Sequence, residues 1–206
     1  MGKILERGSF SNYHITDSLL NEIRKRNERL IEGWGSRKTT VFLSHKHSDL
    51  DELRNIIGFL ESNYDIEVYI DSMDRNMPPC TEAQTALRIK KIIQNSDRFI
   101  LLATNDAICS KWCNWELGLG DAYKYRDNHI ALFPIKDEGE YDEAYKGNEY
   151  MRIYPFIEKG DYNPHNIFTQ YQQEYYVCNY VNGILNKTSL SRWLNKKAMS
   201  QQMVDF

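Results

Sequence analysis

The chain lacks long hydrophobic runs, and no apolar stretch approaches the ~20 residues that a membrane-spanning helix needs. The start of the chain, MGKILERGSF, lacks the apolar core of a signal peptide, and Glu6 does not fit the N-myristoylation pattern. There is no excess of positive charge, since 26 Lys and Arg stand against 29 Asp and Glu, and no basic stripe. These absences argue against a membrane or a nucleic acid as partner, and we expect a cytoplasmic protein.

Cysteine is scarce, and its spacing matches no paired Cys-x-x-Cys zinc pattern. Cys109 and Cys113 lie four residues apart and could form at most half of a metal site, while Cys80 and Cys178 are isolated. We therefore expect reduced thiols in a reducing compartment and no metal. The 206 residues are 41% hydrophobic and 27% charged, which suits one soluble domain with a packed core.

Short apolar segments alternate with segments of helical periodicity through the middle of the chain. The predicted strands are 39–43, 66–71, 98–104 and 129–135, with a fifth at 151–158. The predicted helices between them start near Asp49 or Asp51, either of which can cap a helix, at Thr81 and at Ser110. Strands that alternate with helices predict an α/β fold, a flavodoxin-like doubly wound parallel sheet of about five strands.

Both ends of the chain are predicted to carry helices outside this core. Residues 1–36 form a helical N-terminal extension, with the helix over 15–33. The central domain spans 37–185 and ends in an aromatic-rich helix over 166–185 that packs on the sheet. Residues 186–206 form a helical C-terminal tail with a short helix around SLSRWLNKK.

Three polar loops follow predicted strands and therefore lie at one edge of the sheet. They cover 44–49, 71–79 and 104–112. Ligands of open α/β sheets bind at this carboxyl edge. Glu116, just after the third loop, is predicted to share a helix face with Trp112, Trp115, Leu119, Ala122 and Tyr123, with Lys124 pointing elsewhere. A carboxylate on such a face can interact favourably with the helix dipole, or it can pair with a Lys. The alternative is that it is a functional group.

The first loop offers further polar residues, each with a plain alternative. His45 and His47 alternate along an extended segment, so their side chains point in opposite directions and joint metal ligation is not expected. Ser44 has no visible base that would make it a nucleophile, so a turn or a phosphate contact is its expected role. Lys46 can meet a pyrophosphate as a point charge.

Three motifs in order along the chain resemble the TIR domain, the Toll/interleukin-1 receptor/resistance fold. "VFLSHKHSD" is similar to its first strand and loop, and "VYIDSMDRNMPP" to its second strand and the long loop after it. "SKWCNWELGLG" is the strongest match, with Trp112 and Glu116 in the W-x-x-x-E spacing. The resemblance covers residues 38–135 in good order and extends less clearly to about 185.

The resemblance implies an enzyme that cleaves NAD at the nicotinamide–ribose bond, similar to bacterial TIR proteins of anti-phage defence such as Thoeris systems. It places the catalytic role on Glu116, with NAD as substrate and no cofactor or metal. The NAD-binding residues expected at the strand ends and beside Glu116 are Ser44, His45, Lys46, Asp71, Trp112 and Trp115. The expected partners are other TIR domains, through self-association, and a downstream effector that senses an ADP-ribose-derived product.

The chemistry of NAD cleavage suits these residue types. Nicotinamide leaves as a neutral group from a cationic precursor, so the barrier is the positive charge that develops on the ribose, which a carboxylate stabilises. Tryptophans offer flat faces for stacking, and Gly118 and Gly120 are expected to leave room for a ribose beside the helix. Two alternatives stay open: a non-catalytic TIR adaptor that associates through the 71–79 loop, with Met77 and Pro78, and a sensor that binds an NAD-derived ligand without turnover.

Overall fold

A computed structural model describes residues 4–31, 36–70, 83–141, 153–160 and 175–195 of the chain. Its strands are β1 (Leu5–Glu6), β2 (Thr39–Ser44), β3 (Ile66–Tyr69), β4 (Arg98–Ala103), β5 (Ile130–Lys136), β6 (Phe156–Lys159), β7 (Tyr175–Val181) and β8 (Ile184–Ser189). Its helices are α1 (Asp17–Ile31), α2 (Leu50–Asn63), α3 (Ala83–Asn95), α4 (Asn105–Ile108), α5 (Lys111–Lys124) and α6 (Leu190–Leu194). The alternation of strands and helices confirms the predicted α/β fold. None of these helices is both long and apolar enough to cross a membrane.

The strands join in the order β3-β2-β4-β5-β6-β7-β8. The five strands from β3 to β6 are parallel, as predicted, and their inner members β2, β4 and β5 are buried along their whole length. The sheet then continues with β7 and β8, which are antiparallel. β1 adds a short parallel pairing with the end of β5.

Helices cover both faces of this sheet, because successive residues of each buried strand point to opposite sides. On β2, Val41 and Leu43 face the apolar cluster that α1, α2 and α6 complete. Phe42 faces the other cluster, to which α3 and α5 contribute. Ser44 follows the same alternation and lies on the α3/α5 side.

The predicted helix over 166–185 is wrong in its described part, where the chain forms the β7–β8 hairpin. Asn182 and Gly183 make the turn with positive φ values of 53° and 78°. That geometry matches the type I′ turn, for which Asn-Gly is the preferred sequence. Tyr175 and Val177 alternate inward along β7, a period of two that the aromatic spacing obscured. Residues 166–174 lie outside the described ranges.

The terminal segments take part in the sheet and its core. The segment predicted as a helical N-terminal extension contains α1, but it also supplies β1. The predicted C-terminal tail begins within β8 before its short helix, α6, which is confirmed at Leu190–Leu194. Trp193 is fully buried, and its Nε1 donates to the Asn128 carbonyl at 2.7 Å. The guanidinium of Arg98 donates from Nε to the Trp193 carbonyl at 2.8 Å, so α6 is held against the amino ends of β4 and β5.

Candidate functional site

Helix α5 carries Glu116 on the side that faces the sheet. Ser110 starts the helix, because its Oγ accepts the N–H of Cys113 at 3.3 Å. The buried residues of α5 are Cys113, Glu116, Leu117, Gly120 and Lys124. The predicted face was therefore rotated: Ala122 and Tyr123 are exposed, whereas Lys124, expected to point elsewhere, is buried.

The burial of Lys124 has a local cause at the end of the neighbouring helix. Its Nζ donates to the carbonyls of Gln94 and Ser96, at 3.0 and 2.5 Å, where α3 ends. The ammonium thus satisfies carbonyls that the end of a helix leaves without partners. Burial also lowers the pKa of Lys124.

The carboxylate of Glu116 is held by a hydroxyl from the end of β2. Ser44 Oγ donates to Glu116 Oε2 at 2.5 Å, and neither residue has any exposed surface. A hydrogen bond from a hydroxyl to a charged carboxylate is short and strong, and in a buried setting it is stronger still. The structure therefore brings together two of the predicted site residues at the carboxyl edge of the sheet.

Trp112 and Trp115 lie beside Glu116 and stack on each other. Their ring centroids are 4.6 Å apart with an interplanar angle of 29°. Both side chains are half-buried, and Lys90 Nζ lies 5.9 Å from the centre of the Trp115 ring. The pair forms an aromatic surface on the same turns of α5 that carry Glu116. Contact between these rings and NAD stays a prediction.

The two glycines of α5 differ in their surroundings. A Cβ on Gly120 would lie 2.8 Å from the Phe99 ring, so this glycine allows α5 to approach β4. A Cβ on Gly118 would meet nothing within 4 Å. Contrary to the prediction from the sequence, Gly120 therefore does not leave room for a ribose but allows close packing of the helix on the sheet.

The polar residues of the loop after β2 differ from one another in exposure. His45 is buried, with Nδ1 3.5 Å from the Leu43 carbonyl, whereas His47 is exposed. Lys46 is half-exposed and precedes a 3-10 turn at His47–Asp49. Among the described residues, no group of three or more His, Cys, Asp or Glu is arranged to hold a metal ion. Asp71 and the 71–79 loop, with Met77 and Pro78, lie outside the described residues.

Asp49 belongs to a buried network that the sequence reasoning missed. The sequence predicts Asp49 or Asp51 as a helix cap, but the Asp49 side chain makes no cap hydrogen bond at the start of α2. Instead Oδ2 accepts the hydroxyl of Thr104, which follows β4, at 2.6 Å, and Oδ1 pairs with Arg7 Nη1 at 3.1 Å. Thr104 also caps α4 by accepting the N–H of Ala107 at 3.0 Å. The available signal was the position of Asp49 and Thr104 after two strands that lie side by side.

A parallel sheet with a buried carboxylate at its carboxyl edge is the arrangement that the sequence motifs led us to expect. A family model described as "TIR domain" matches residues 41–163, more than half of the chain. The chain therefore belongs to the TIR domain family.

A comparison with curated proteins finds a bacterial relative over part of the chain. The chain is similar to a Bacillus cereus (strain MSX-D12) protein named "Probable 3' cyclic ADP-D-ribose synthase ThsB'". The two are 27% identical over 125 residues, which cover 58% of this chain and 61% of that protein. The matched part thus spans about three-fifths of the relative's length.

Proposed function

We propose that this TIR protein cleaves NAD at the bond between nicotinamide and ribose, with Glu116 as the catalytic carboxylate. The observation that carries the proposal is the fully buried Glu116 side chain, held by Ser44 at the carboxyl edge of the sheet. The similarity to a protein named as a cyclic ADP-ribose synthase supports NAD as the substrate. NAD is the substrate here, and the proposal needs no resident cofactor.

The proposed mechanism uses Glu116 to stabilise charge. As the nicotinamide–ribose bond breaks, the bonding electron pair leaves with nicotinamide and positive charge develops on the ribose ring. A carboxylate next to the anomeric carbon lowers the energy of that transition state, and it does so most effectively where water is excluded. The Trp112–Trp115 surface would pack against a ring of the substrate.

Ser44 has a different role in this mechanism from the phosphate contact expected from the sequence. Its hydroxyl donates to Oε2, so it orients the carboxylate and favours its charged form. His45, Lys46 and Asp71 keep their proposed role as NAD-binding residues of the strand ends. Because Glu116 has no exposed surface, NAD binding must be accompanied by movement of the groups that cover it.

The second product separates two branches of the reaction. If water attacks the ribose, the product is ADP-ribose. If a nucleophile of the same molecule attacks, the product is a cyclic ADP-ribose, lighter by one water, as the name of the Bacillus cereus relative suggests. We favour the cyclic branch, with the product as a cytoplasmic signal for a separate effector in anti-phage defence and with self-association of TIR domains as a condition for activity.

The test is incubation of the purified protein at high concentration with NAD, read by mass spectrometry. Release of nicotinamide together with the lighter product supports the cyclic branch, and ADP-ribose alone supports hydrolysis. Intact NAD after incubation at high protein concentration would contradict the proposed NAD-cleaving activity and favour the non-catalytic adaptor. Thermal stabilisation by NAD or by an NAD-derived ligand without product would favour the sensor.

A further inference from the structure

The N-terminal segment Ile4–Phe10, here called the N-terminal strap, passes over the carboxyl edge of the sheet. Leu5 and Glu6 pair with the last two residues of β5, and the Arg7 N–H donates to the Lys136 carbonyl at 2.9 Å. Ile4 is buried in the apolar cluster on the α5 side of the sheet. Phe10 is buried on the opposite side, with its ring centroid 4.3 Å from that of Phe59. The strap therefore begins on the face that holds Glu116 and ends on the other.

Arg7 connects the strap to the loops that follow three strands. Its Nε donates to Asp137, just after β5, at 2.9 Å, and its Nη1 pairs with Asp49, after β2, at 3.1 Å. The Asp49 side chain is 2% exposed, and its second oxygen accepts the hydroxyl of Thr104, after β4. One guanidinium thus holds a buried carboxylate that in turn holds the loop after β4.

The strap has a second attachment one residue further on. The Gly8 N–H donates to Glu52 Oε2 of α2 at 2.8 Å, with Gly8 in a left-handed conformation at φ 84°. Glu52 is 3% exposed, and burial raises the pKa of its carboxyl group. A main-chain donor and a side-chain cation of the strap therefore both meet buried carboxylates of the segment 49–52.

We propose that the N-terminal strap is part of the catalytic edge and that Arg7 is a positioning residue for NAD cleavage. This rests on the proposed function. Arg7 holds Asp49, and through it Thr104, so that the loops after β2 and β4 keep one arrangement beside Ser44 and Glu116. A buried carboxylate that loses its cation is left without a compensating charge, which favours rearrangement of the loops that it holds. Small displacements of groups around a reacting centre cost large factors in rate.

The test uses variants of Arg7 and of its two carboxylate partners in the full chain. Arg7→Gln removes both ion pairs and is expected to lower kcat at least tenfold, with a smaller change in KM. Arg7→Lys keeps the charge and should recover much of the loss. Asp137→Asn is the matched control, because Asp137 is 52% exposed and its loss leaves the pair between Arg7 and the buried Asp49 in place. Its kcat should stay within twofold of the wild type.

Two further comparisons separate positioning from a general loss of fold. Rates are measured well below each variant's melting temperature, and Arg7→Gln combined with Asp49→Asn should be no slower than the slower single variant. Amide hydrogen exchange is measured alongside, and Arg7→Gln should speed exchange in 46–49 and 104–108 more than in the interior of β4. Unchanged kcat, or unchanged exchange in these loops, would overturn the proposal. The exchange result decides whether Arg7 holds these loops, and it does so even if wild-type protein releases no nicotinamide, a result that would refute the proposed function.

Discussion

Removal of the Ser44 hydroxyl tests how Glu116 is held. Ser44→Ala deletes one oxygen, so it leaves no large cavity in β2, but it takes away the donor to Glu116 Oε2. A hydrogen bond to a charged group contributes about 1.5–3 kcal/mol net. Ser44 acts on the rate by orienting the carboxylate, and a misplaced group at a reacting centre costs up to about a hundredfold, so kcat should fall roughly ten- to a hundredfold.

The pH dependence of the same variant distinguishes this role from a substrate contact. A hydrogen bond donated to a carboxylate favours its charged form, so its loss should move the acidic limb of the kcat profile to higher pH, by up to about one to two units. A residue that only bound NAD would change KM and leave that limb in place. The assay is nicotinamide release measured from pH 5 to 9 with saturating NAD.

A matched control for this variant lies four residues further on, in the turn that follows β2. Ser48 also places its hydroxyl near a carboxylate, that of Asp106 at 3.4 Å, but the contact is exposed. Ser48→Ala should keep the wild-type rate and pH profile. A Ser44→Ala protein that is folded, with an unchanged kcat and an unshifted acidic limb, would refute the positioning role of Ser44.

Three further predictions concern stability. Gly120→Ala should lower the free energy of unfolding by about 1–3 kcal/mol in urea denaturation, because the new Cβ would lie 2.8 Å from an aromatic ring of β4. Gly118→Ala, where the new Cβ meets open space, should raise the free energy of unfolding by up to about 1 kcal/mol. Equal effects of the two variants would contradict the packing role of Gly120. Burial lowers the pKa of His129 from 6.5 to about 4, so the folded protein favours the neutral imidazole, and this contribution to stability is complete above pH 6.5 and is lost as the pH falls toward 4. His129→Asn should reduce the loss of unfolding free energy between pH 6.5 and 4 by on the order of 1 kcal/mol, allowing for the partial exposure of His129, and an unchanged loss would contradict this. Trp193→Phe should cost about 2 kcal/mol in thermal or urea unfolding, since it removes a buried hydrogen bond at 2.7 Å as well as volume, whereas an unaffected midpoint would mean that α6 is not part of the core.

The parallel core and the position of Glu116 were accessible from the sequence for a physical reason. Strands buried on both faces appear as continuous apolar runs, such as TTVFL and RFILLAT, and the polar residues directly after them mark the carboxyl edge. The orientation of α5 was less accessible, because helical periodicity put the aromatic residues inward. The structure turns Cys113, Glu116 and Gly120 toward the sheet and leaves Trp112 and Trp115 at its margin.

The remaining errors come from contacts that local patterns do not encode. Arg7 and Asp49 lie 42 residues apart, and no periodicity in either segment indicates that they pair. Lys124 is buried because two carbonyls at the end of α3 accept its ammonium hydrogens, which a helical projection of α5 alone does not show. The β7–β8 hairpin is a different case, because the Asn182-Gly183 turn signal is present in the sequence but the spacing of the tyrosines before it resembles that of a helix.

The role of Glu116 in NAD cleavage is tested most directly by nicotinamide release from wild type, Glu116→Gln and Glu61→Gln. Glu116→Gln keeps the shape of the side chain, and its amide oxygen can still accept the Ser44 hydroxyl. Glu61→Gln is the matched control on α2, where Glu61 pairs with Arg26 at 2.7 Å on the other side of the sheet. We predict release by wild type and Glu61→Gln, and none by a Glu116→Gln protein that melts at a similar temperature. Equal release by Glu116→Gln would contradict the account.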